Sequence, residues 1–188
     1  MSIIDKVVAA VTPPESDEAR AKARAKARSA AKPGDWLSAV LDHHEEIESA
    51  FAKVKGTTTE ATRLKALKEL GTLLTGHSIA EEAALYPALA KADEKGHATA
   101  AYTEQSAAKL QMGLLEDLPP MSQEFMDKLE HIEGAVAHHV YEEEGTWFLE
   151  LRSKLPAADQ TKLTARYDEQ FARYMGKDAP GDALRSMK

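Results

Sequence analysis

Two short segments of this chain repeat the same chemically active residue types at the same spacing. In the first segment, His77 precedes Glu81 by four positions. In the second segment, which comes later in the chain, His139 precedes Glu143 by the same four positions. Residues four apart share one face of an α-helix. Each segment therefore offers one imidazole nitrogen and one carboxylate to the same interior point, as a metal site requires.

The repeat extends to the helix that comes before each segment. His44 precedes His77 by almost the same separation as Gln105 precedes His139, and the two separations differ by a single position. The chain therefore consists of two helical hairpins of like construction. Packing the hairpins together predicts a four-helix bundle with an approximate twofold axis, in which these polar side chains meet in the core.

Burial of this set of side chains favours a bound metal ion. Two carboxylates and three imidazoles buried without a cation would be very costly, or would be forced to change protonation. The chain has no cysteine, so the available ligands are imidazole and carboxylate, which suit iron, manganese or zinc rather than calcium. A single helical histidine is usually a surface group or a satisfied core residue. That interpretation is preferred for the remaining four, His43, His97, His131 and His138.

Hydrophobic periodicity predicts the helices that hold these residues, and it indicates no strand. Four long helices are expected at 36–55, 60–90, 97–117 and 122–154, and a fifth at 157–175. Before them we expect a short amphipathic helix at 3–11 and a basic, alanine-rich helix, exposed or frayed, at 15–32. The result is an all-α protein with an N-terminal helical extension (1–35), a bundle (36–155), and a C-terminal helix with a loose tail (156–188).

Composition limits the classes of function. The formal net charge of −7 argues against nucleic acid as the main partner. Hydrophobic residues make up 43% of the 188 residues, which is enough for one domain with a sizeable core. No apolar run approaches the roughly 18 residues of a membrane span, and the N-terminus lacks the apolar core of a signal peptide. The sequence predicts a cytoplasmic protein without a membrane partner.

Three of these segments resemble the hemerythrin HHE cation-binding family. The matching pieces are residues 42–47, 77–87 and 139–148, and the resemblance covers roughly 36–155. It implies an up-down-up-down four-helix bundle that holds a non-haem di-iron centre, here with extra N-terminal and C-terminal helices. His44 rather than His43 matches the family histidine, because that histidine stands three positions before an apolar residue, here Ile47.

The resemblance also implies a role for each candidate ligand. His44 and His77 would bind one iron, and His139 would bind the other. Glu81 and Glu143 would bridge the two ions. The expected cofactor is therefore two iron ions per chain, with manganese or zinc as alternatives.

One position departs from the pattern of the family. The third helix of the family usually carries Glu-His, whereas this chain reads Glu104-Gln105. Gln105 offers a weaker amide oxygen, so the second iron would bind more weakly or keep open positions for a small molecule. Glu104 would stand close enough to act as a proton donor. The oxygen-carrying hemerythrins use more histidines than this chain offers, so reversible oxygen storage is not expected.

These expectations support three functions. The first is a di-iron protein that binds or reacts with O2, NO or peroxide in stress protection or sensing. The second is a metal-binding sensor or interaction module that signals through a partner protein without catalysis, and a homo-oligomer is also left open. The third, a ferritin-like oxidase, needs two Glu-x-x-His motifs. Only Glu94 with His97 supplies one.

Overall fold

The structure is a computed structural model that describes residues 15–92 and 94–176, and every regular element in these ranges is helical. The elements are α1 (Asp17–Ala30), α2 (Trp36–Lys55), α3 (Glu60–Ala80), α4 (Tyr86–Lys91), α5 (Lys95–Glu116), α6 (Gln123–Glu142), α7 (Phe148–Lys154) and α8 (Ala157–Met175). The amphipathic helix expected at 3–11 and the tail after Gly176 lie outside the described residues. Within the described residues, no helix is long and apolar enough to cross a membrane.

The helices begin where the sequence supplies a capping side chain. Asp35 accepts a hydrogen bond from the Ser38 N–H at the start of α2, and Ser122 accepts one from the Phe125 N–H at the start of α6. Such caps satisfy backbone donors that have no partner inside the helix. Gly34 precedes the first cap with a φ of 77°, a left-handed conformation that residues with a Cβ rarely adopt.

The core lies along the long helices and includes both flanking helices. α3 packs closely against α2 and α8, and α5 packs against α4 and α6. Trp36 meets Phe148 edge to face with ring centroids 5.7 Å apart. Contact between α3 and α5 is sparse. Leu64 on α3 and Tyr102 on α5 are consequently 45% and 39% exposed.

The basic N-terminal helix α1 is anchored to the bundle, whereas the sequence suggested an exposed or frayed helix. Its buried residues, Ala23 and Ala27, have side chains small enough to let α1 approach the rest of the fold. A Cβ built on Gly145 would lie 3.6 Å from the Ala23 Cβ. Arg28 on the same helix binds Asp42 and Glu45 of α2 at 2.6 and 2.9 Å.

Two π-helical turns interrupt the helices at equivalent points of the repeat. One runs over Glu81–Leu85 and joins α3 to α4, and the other runs over Glu143–Trp147 and joins α6 to α7. Both begin at a repeat glutamate, so the sequence offset between the two turns equals the offset between His77 and His139. Isolated π turns inside α-helices often occur at functional sites.

Candidate metal centre

Four of the predicted ligand side chains form one buried cluster. His44, His77, Glu81 and Glu143 each place one nitrogen or oxygen atom within 4.8 Å of the corresponding atoms of the other three. His77 Nε2 lies 3.2 Å from Glu81 Oε2, and His44 Nε2 lies 3.3 Å from Glu143 Oε2. Both carboxylates are fully buried. The residues come from α2, α3 and the two π turns, so the repeat brings both hairpins to one point.

His139 adjoins this cluster on the far side of Glu143. Its Nε2 lies 3.3 Å from Glu143 Oε1, while the other oxygen of that carboxylate faces His44. The Glu143 carboxylate therefore lies between two imidazoles, His44 on one side and His139 on the other. This arrangement suits a carboxylate that bridges two ions. The Glu81 carboxylate also stands between groups, since its Oε1 lies 3.8 Å from His44 Nε2 and its Oε2 faces His77.

Gln105 is buried beside the cluster, with only 4% of its surface exposed. Its Nε2 donates to Glu81 Oε2 and to the Tyr86 hydroxyl, each at 2.5 Å. Its amide oxygen has no hydrogen-bond partner. In this arrangement Gln105 orients a carboxylate through its nitrogen, and its role as a metal ligand stays a prediction.

Each of the three imidazoles has an outer hydrogen-bond partner at Nδ1. His44 Nδ1 lies 2.8 Å from Glu144 Oε1, and His139 Nδ1 lies 2.7 Å from Glu104 Oε2. His77 Nδ1 lies 3.2 Å from the Tyr167 hydroxyl. When Nδ1–H donates outward, the tautomer is fixed and the Nε2 lone pair faces the centre, which is how histidines that bind metal are commonly held.

Without a metal, the buried charges stabilise one another. Burial opposes protonation of His44, but the carboxylates of Glu143, Glu144 and Glu81 hold its pKa well above the usual value. Burial also opposes protonation of His139, yet Glu143 and Glu104 raise its pKa to about 10. The pKa of His77 is lowered well below its usual value by burial and by its neighbours His44 and His43. Two imidazoles are thus cationic near neutral pH, and the third is neutral.

The two central carboxylates respond to the same surroundings in opposite directions. Burial and the neighbouring charge of Glu143 raise the pKa of Glu81. Burial would also raise the pKa of Glu143, but the adjacent His139 and His44 hold it below the usual value. Pairs of buried carboxylates with separated pKa values are common at functional sites.

The residues present fit a metal ion. Three buried atoms that face the cluster make no hydrogen bond: His44 Nε2, Glu81 Oε1 and Glu143 Oε2. Unpartnered buried polar atoms are rare in folded proteins and call for an explanation. A cation at this point would engage all three, and mixed imidazole and carboxylate ligands suit iron, manganese or zinc.

Comparison with known proteins agrees with this geometry. The family model of the hemerythrin HHE cation binding domain matches residues 37–151. The chain belongs to this family. A DNA nickase from Nostoc sp. (strain PCC 7120) is 34% identical over 92 residues, which is 49% of this chain and 26% of that protein. This chain therefore spans only a minor part of that relative. No solved structure matches the chain.

This hemerythrin HHE chain has a further polar residue at its centre that the sequence analysis missed. The Tyr86 hydroxyl lies 3.1 Å from His139 Nε2, and it donates to Glu143 Oε1 at 2.9 Å and to Glu81 Oε2 at 3.1 Å. The repeat held the signal, since Phe148 follows Glu143 at the same spacing as Tyr86 follows Glu81. A tyrosine where the other hairpin has phenylalanine adds a hydroxyl on the same side as Gln105.

The π turn explains how Tyr86 reaches the centre. In a π turn the backbone hydrogen bond closes five residues back, and the Tyr86 N–H bonds to the Glu81 carbonyl. Tyr86 therefore lies one turn above Glu81 on the same face. A regular α-helix would place it about 140° around the axis from Glu81.

Two residues outside the matched domain support the candidate ligand histidines of this family member, one directly and one through Glu144. Tyr167 of α8 reaches His77, and its hydroxyl also lies 2.8 Å from His43 Nδ1. Arg24 of α1 donates from Nε to Glu144 Oε1 and Oε2 at 3.0 and 3.1 Å. Because Glu144 binds His44, the helix before the hemerythrin domain supports a candidate ligand inside it.

Arg24→Met should weaken metal binding without unfolding α1. Methionine keeps an apolar stem but removes the charge that fixes Glu144, so His44 loses orientation. Loss of such an outer partner typically lowers metal affinity by about tenfold or more. Competition with a chelator measures the change. Arg20→Met is the matched control, since Arg20 pairs with the nearby Asp17 of the same helix. Equal retention of metal in both variants would contradict the link.

None of the other four histidines belongs to this cluster, although the His43 ring lies 6.0 Å from the His77 ring. His43 is buried, with its ring stacked on Phe171 at 3.8 Å, as a satisfied core residue would be. His97 stacks on Trp147 at 5.7 Å and lies close to Glu94 and Glu150. His138 forms a similar group with Glu15 and Glu142, and both groups are only partly buried. His131 belongs to none of the metal-site groups found among the described residues.

Proposed function

We propose that this hemerythrin-domain protein holds two iron ions in an up-down-up-down four-helix bundle. His44 and His77 bind one ion, His139 binds the other, and Glu81 and Glu143 lie between the two. The observation that carries the proposal is the Glu143 carboxylate, whose two oxygens each lie 3.3 Å from an imidazole Nε2 on opposite sides. Manganese or zinc would use the same ligands.

The two sides of the proposed centre differ in the number of strong ligands. One side has two imidazoles. The other has His139, the neutral hydroxyl of Tyr86 and the amide nitrogen of Gln105. Burial and the adjacent carboxylates raise the pKa of Tyr86 well above its usual value, so in the metal-free protein it acts as a hydrogen-bond donor. A second ion held by these residues would keep open positions, and O2, NO or peroxide is the small-molecule partner that we propose for them.

Iron supplies redox electrons and a binding position for the small molecule, and the chain's own residues orient and protonate it. Tyr86 O–H points at the carboxylate oxygens and can donate to an oxygen atom held beside them. Glu104 accepts from His139 Nδ1 and is 35% exposed, so it joins the centre to solvent and can relay a proton. Proton delivery of this kind supports turnover of peroxide or O2 rather than simple storage.

A second candidate is a sensor that passes the state of the metal to a partner protein. The chain of contacts from His44 through Glu144 to Arg24 on α1 favours it, because a partner bound to α1 would sense the state of His44. The name of the Nostoc relative does not extend to this chain, because the match covers 26% of that protein and a net charge of −7 disfavours nucleic acid. We propose a cytoplasmic protein that binds neither nucleic acid nor membranes.

The test is to load the chain with Fe(II) without air, count the metal, and add hydrogen peroxide or NO. We expect about two iron ions per chain and a change in the optical spectrum as the added molecule reacts. His139→Ala should abolish the change, while His131→Ala on the same helix should preserve it. Bound iron that reacts with neither molecule would favour the sensor, and absence of bound iron would contradict both functions.

A further inference from the structure

An elongated cavity of about 670 Å³ extends away from the metal centre between α3, α5 and α6. His77, Gln105 and His139 form its inner end, and Leu64 lies at its outer end. From His77 back to Leu64 the cavity follows thirteen residues of α3, or about 20 Å at 1.5 Å per residue. The cavity thus joins the buried centre to the protein surface.

The size of the cavity exceeds what a diatomic molecule or hydrogen peroxide requires. A water molecule takes up about 30 Å³ in the liquid, and pockets for organic ligands typically measure about 300–1,000 Å³. The walls are mostly apolar, with side chains such as Leu67, Leu74, Met112 and Val136. Water binds weakly in apolar spaces. A chain of methylene groups matches both the length and the lining.

A glycine on α3 helps to keep the cavity open. A Cβ built on Gly71 would meet only the Met112 Cε, at 3.9 Å. Glycine inside a helix lowers helix stability, so this position favours open space over helix propensity. At the mouth, Leu64 and Tyr174 are 45% and 44% exposed. These exposed apolar groups suit a ligand that enters from solvent.

One polar atom at the inner end lacks a partner. Gln105 is 4% exposed and its Nε2 is fully engaged, but its Oε1 accepts no hydrogen bond. This oxygen requires a donor. An ionised carboxylate head group has no proton to donate. A neutral O–H group satisfies Gln105 Oε1.

We propose that this cavity binds an elongated apolar molecule with a neutral O–H head group, a hydroxyl or hydroperoxyl. The head group donates to Gln105 Oε1, and the chain lies along α3 towards Leu64. The inference deepens the proposed function in one respect, since the head group is held at the open side of the second ion. The molecule bound there is then a long-chain alcohol or hydroperoxide, in addition to the diatomic gas or hydrogen peroxide of the proposed function.

The experiment measures binding of decanol to the iron-loaded chain by calorimetry. Gly71→Leu should weaken decanol binding by at least about tenfold, because its side chain enters the cavity. Leucine also favours the helix more than glycine does, so the variant is expected to fold. Gly134→Leu is the matched control, since it makes the same change on α6 at an exposed position that does not line the cavity. Equal binding by both variants would overturn the proposal.

A second arm tests the head group. In the metal-free chain, decanol should bind at least about tenfold more tightly than decanoate, since an ionised carboxylate has no proton to donate to Gln105 Oε1. Tighter binding of decanoate would overturn the O–H assignment. The same measurement is made on the full chain with Ile4→Asp and Val8→Asp together. If only this variant binds decanol, the chain's own N-terminal segment fills the cavity, and the proposal of an external ligand is overturned.

Iron content measured on the same samples separates this inference from the proposed function. Normal iron loading without decanol binding would contradict the cavity inference alone. Decanol binding in a chain that takes up no iron would contradict the di-iron function while leaving the binding site in place. Normal loading together with weakened decanol binding in Gly71→Leu supports both.

Discussion

Glu143→Gln is expected to leave one iron ion per chain instead of two. Glu143 is the carboxylate that faces His44 with one oxygen and His139 with the other. Glutamine has similar size but no charge and one acceptor oxygen, so it cannot bridge two cations. We expect the affinity for the second ion to fall by at least about 100-fold. This is more than the loss of metal affinity that usually follows mutation of a residue that only hydrogen-bonds to a ligand. Metal analysis after dialysis measures the ratio.

The metal-free form of this variant should also lose stability. Glu143 is the buried partner of two imidazoles with raised pKa values, and removal of one member of a buried ion pair typically costs about 3–5 kcal/mol. Glu142→Gln is the matched control, because it makes the same change at the preceding residue, which lies outside the cluster. A Glu143→Gln protein that retains both ions would rule out a bridging role.

Hydrophobic periodicity predicted where the long helices lie, but not the π turns that interrupt two of them. α2 and α8 begin and end where the periodicity placed them, and four of the six predicted metal-site residues, His44, His77, Glu81 and Glu143, meet in the core. The choice of His44 over His43 depended on the register with Ile47. In the structure His44 belongs to the cluster, and His43 stacks on Phe171 of α8.

The π turns and their consequence for Tyr86 could not be predicted from helical periodicity. That periodicity assumes 3.6 residues per turn, and an extra residue after Glu81 changes which side chains share a face. The two π turns are not accompanied by any change in amino-acid composition that a search for sequence patterns would detect. Their position at both repeat glutamates became visible only from the backbone hydrogen bonds to Glu81 and Glu143.

The outer partners of the histidines were missed for a different reason. Arg24 meets Glu144 across 120 positions, and Tyr167 meets His77 across 90. Contacts over such distances depend on how α1 and α8 pack, and a single sequence gives no direct signal for them. The alanines of α1 form no clear apolar stripe in the sequence. Ala23 and Ala27 are nevertheless buried, because their small side chains let α1 lie close to the bundle. The sparse contact between α3 and α5, which exposes Leu64, was unpredictable in the same way.

Metal affinity should rise steeply with pH. In the metal-free protein the pKa of His139 is about 10 and that of His44 is well above its usual value, so both imidazoles carry a proton near neutral pH. A metal ion binds only the neutral imidazole and must displace that proton. Each displaced proton makes the affinity rise about tenfold per pH unit. His77 adds nothing to this dependence, because its pKa is lowered and it is already neutral.

The two displaced imidazole protons predict that affinity rises by at least about 100-fold per unit between about pH 6 and about pH 8. Below about pH 7 the Glu81 carboxyl, whose pKa burial raises to about 7, releases a further proton. Zn(II), which undergoes no redox change, allows the released protons to be counted in weakly buffered solution. Release of fewer than about one proton per chain would mean that the imidazoles are already neutral before metal binds.

Stability without metal should change in the opposite direction. A histidine with a raised pKa stabilises the folded state fully below its unfolded pKa of about 6.5. That contribution is lost as pH rises towards the folded pKa, which is about 10 for His139. The metal-free protein therefore loses stability from these pairs over the same range in which the loaded protein gains affinity. The difference in Tm between loaded and metal-free protein should widen as pH rises from about 6 to about 8, and a constant difference would contradict the ion pairs that His44 and His139 form here.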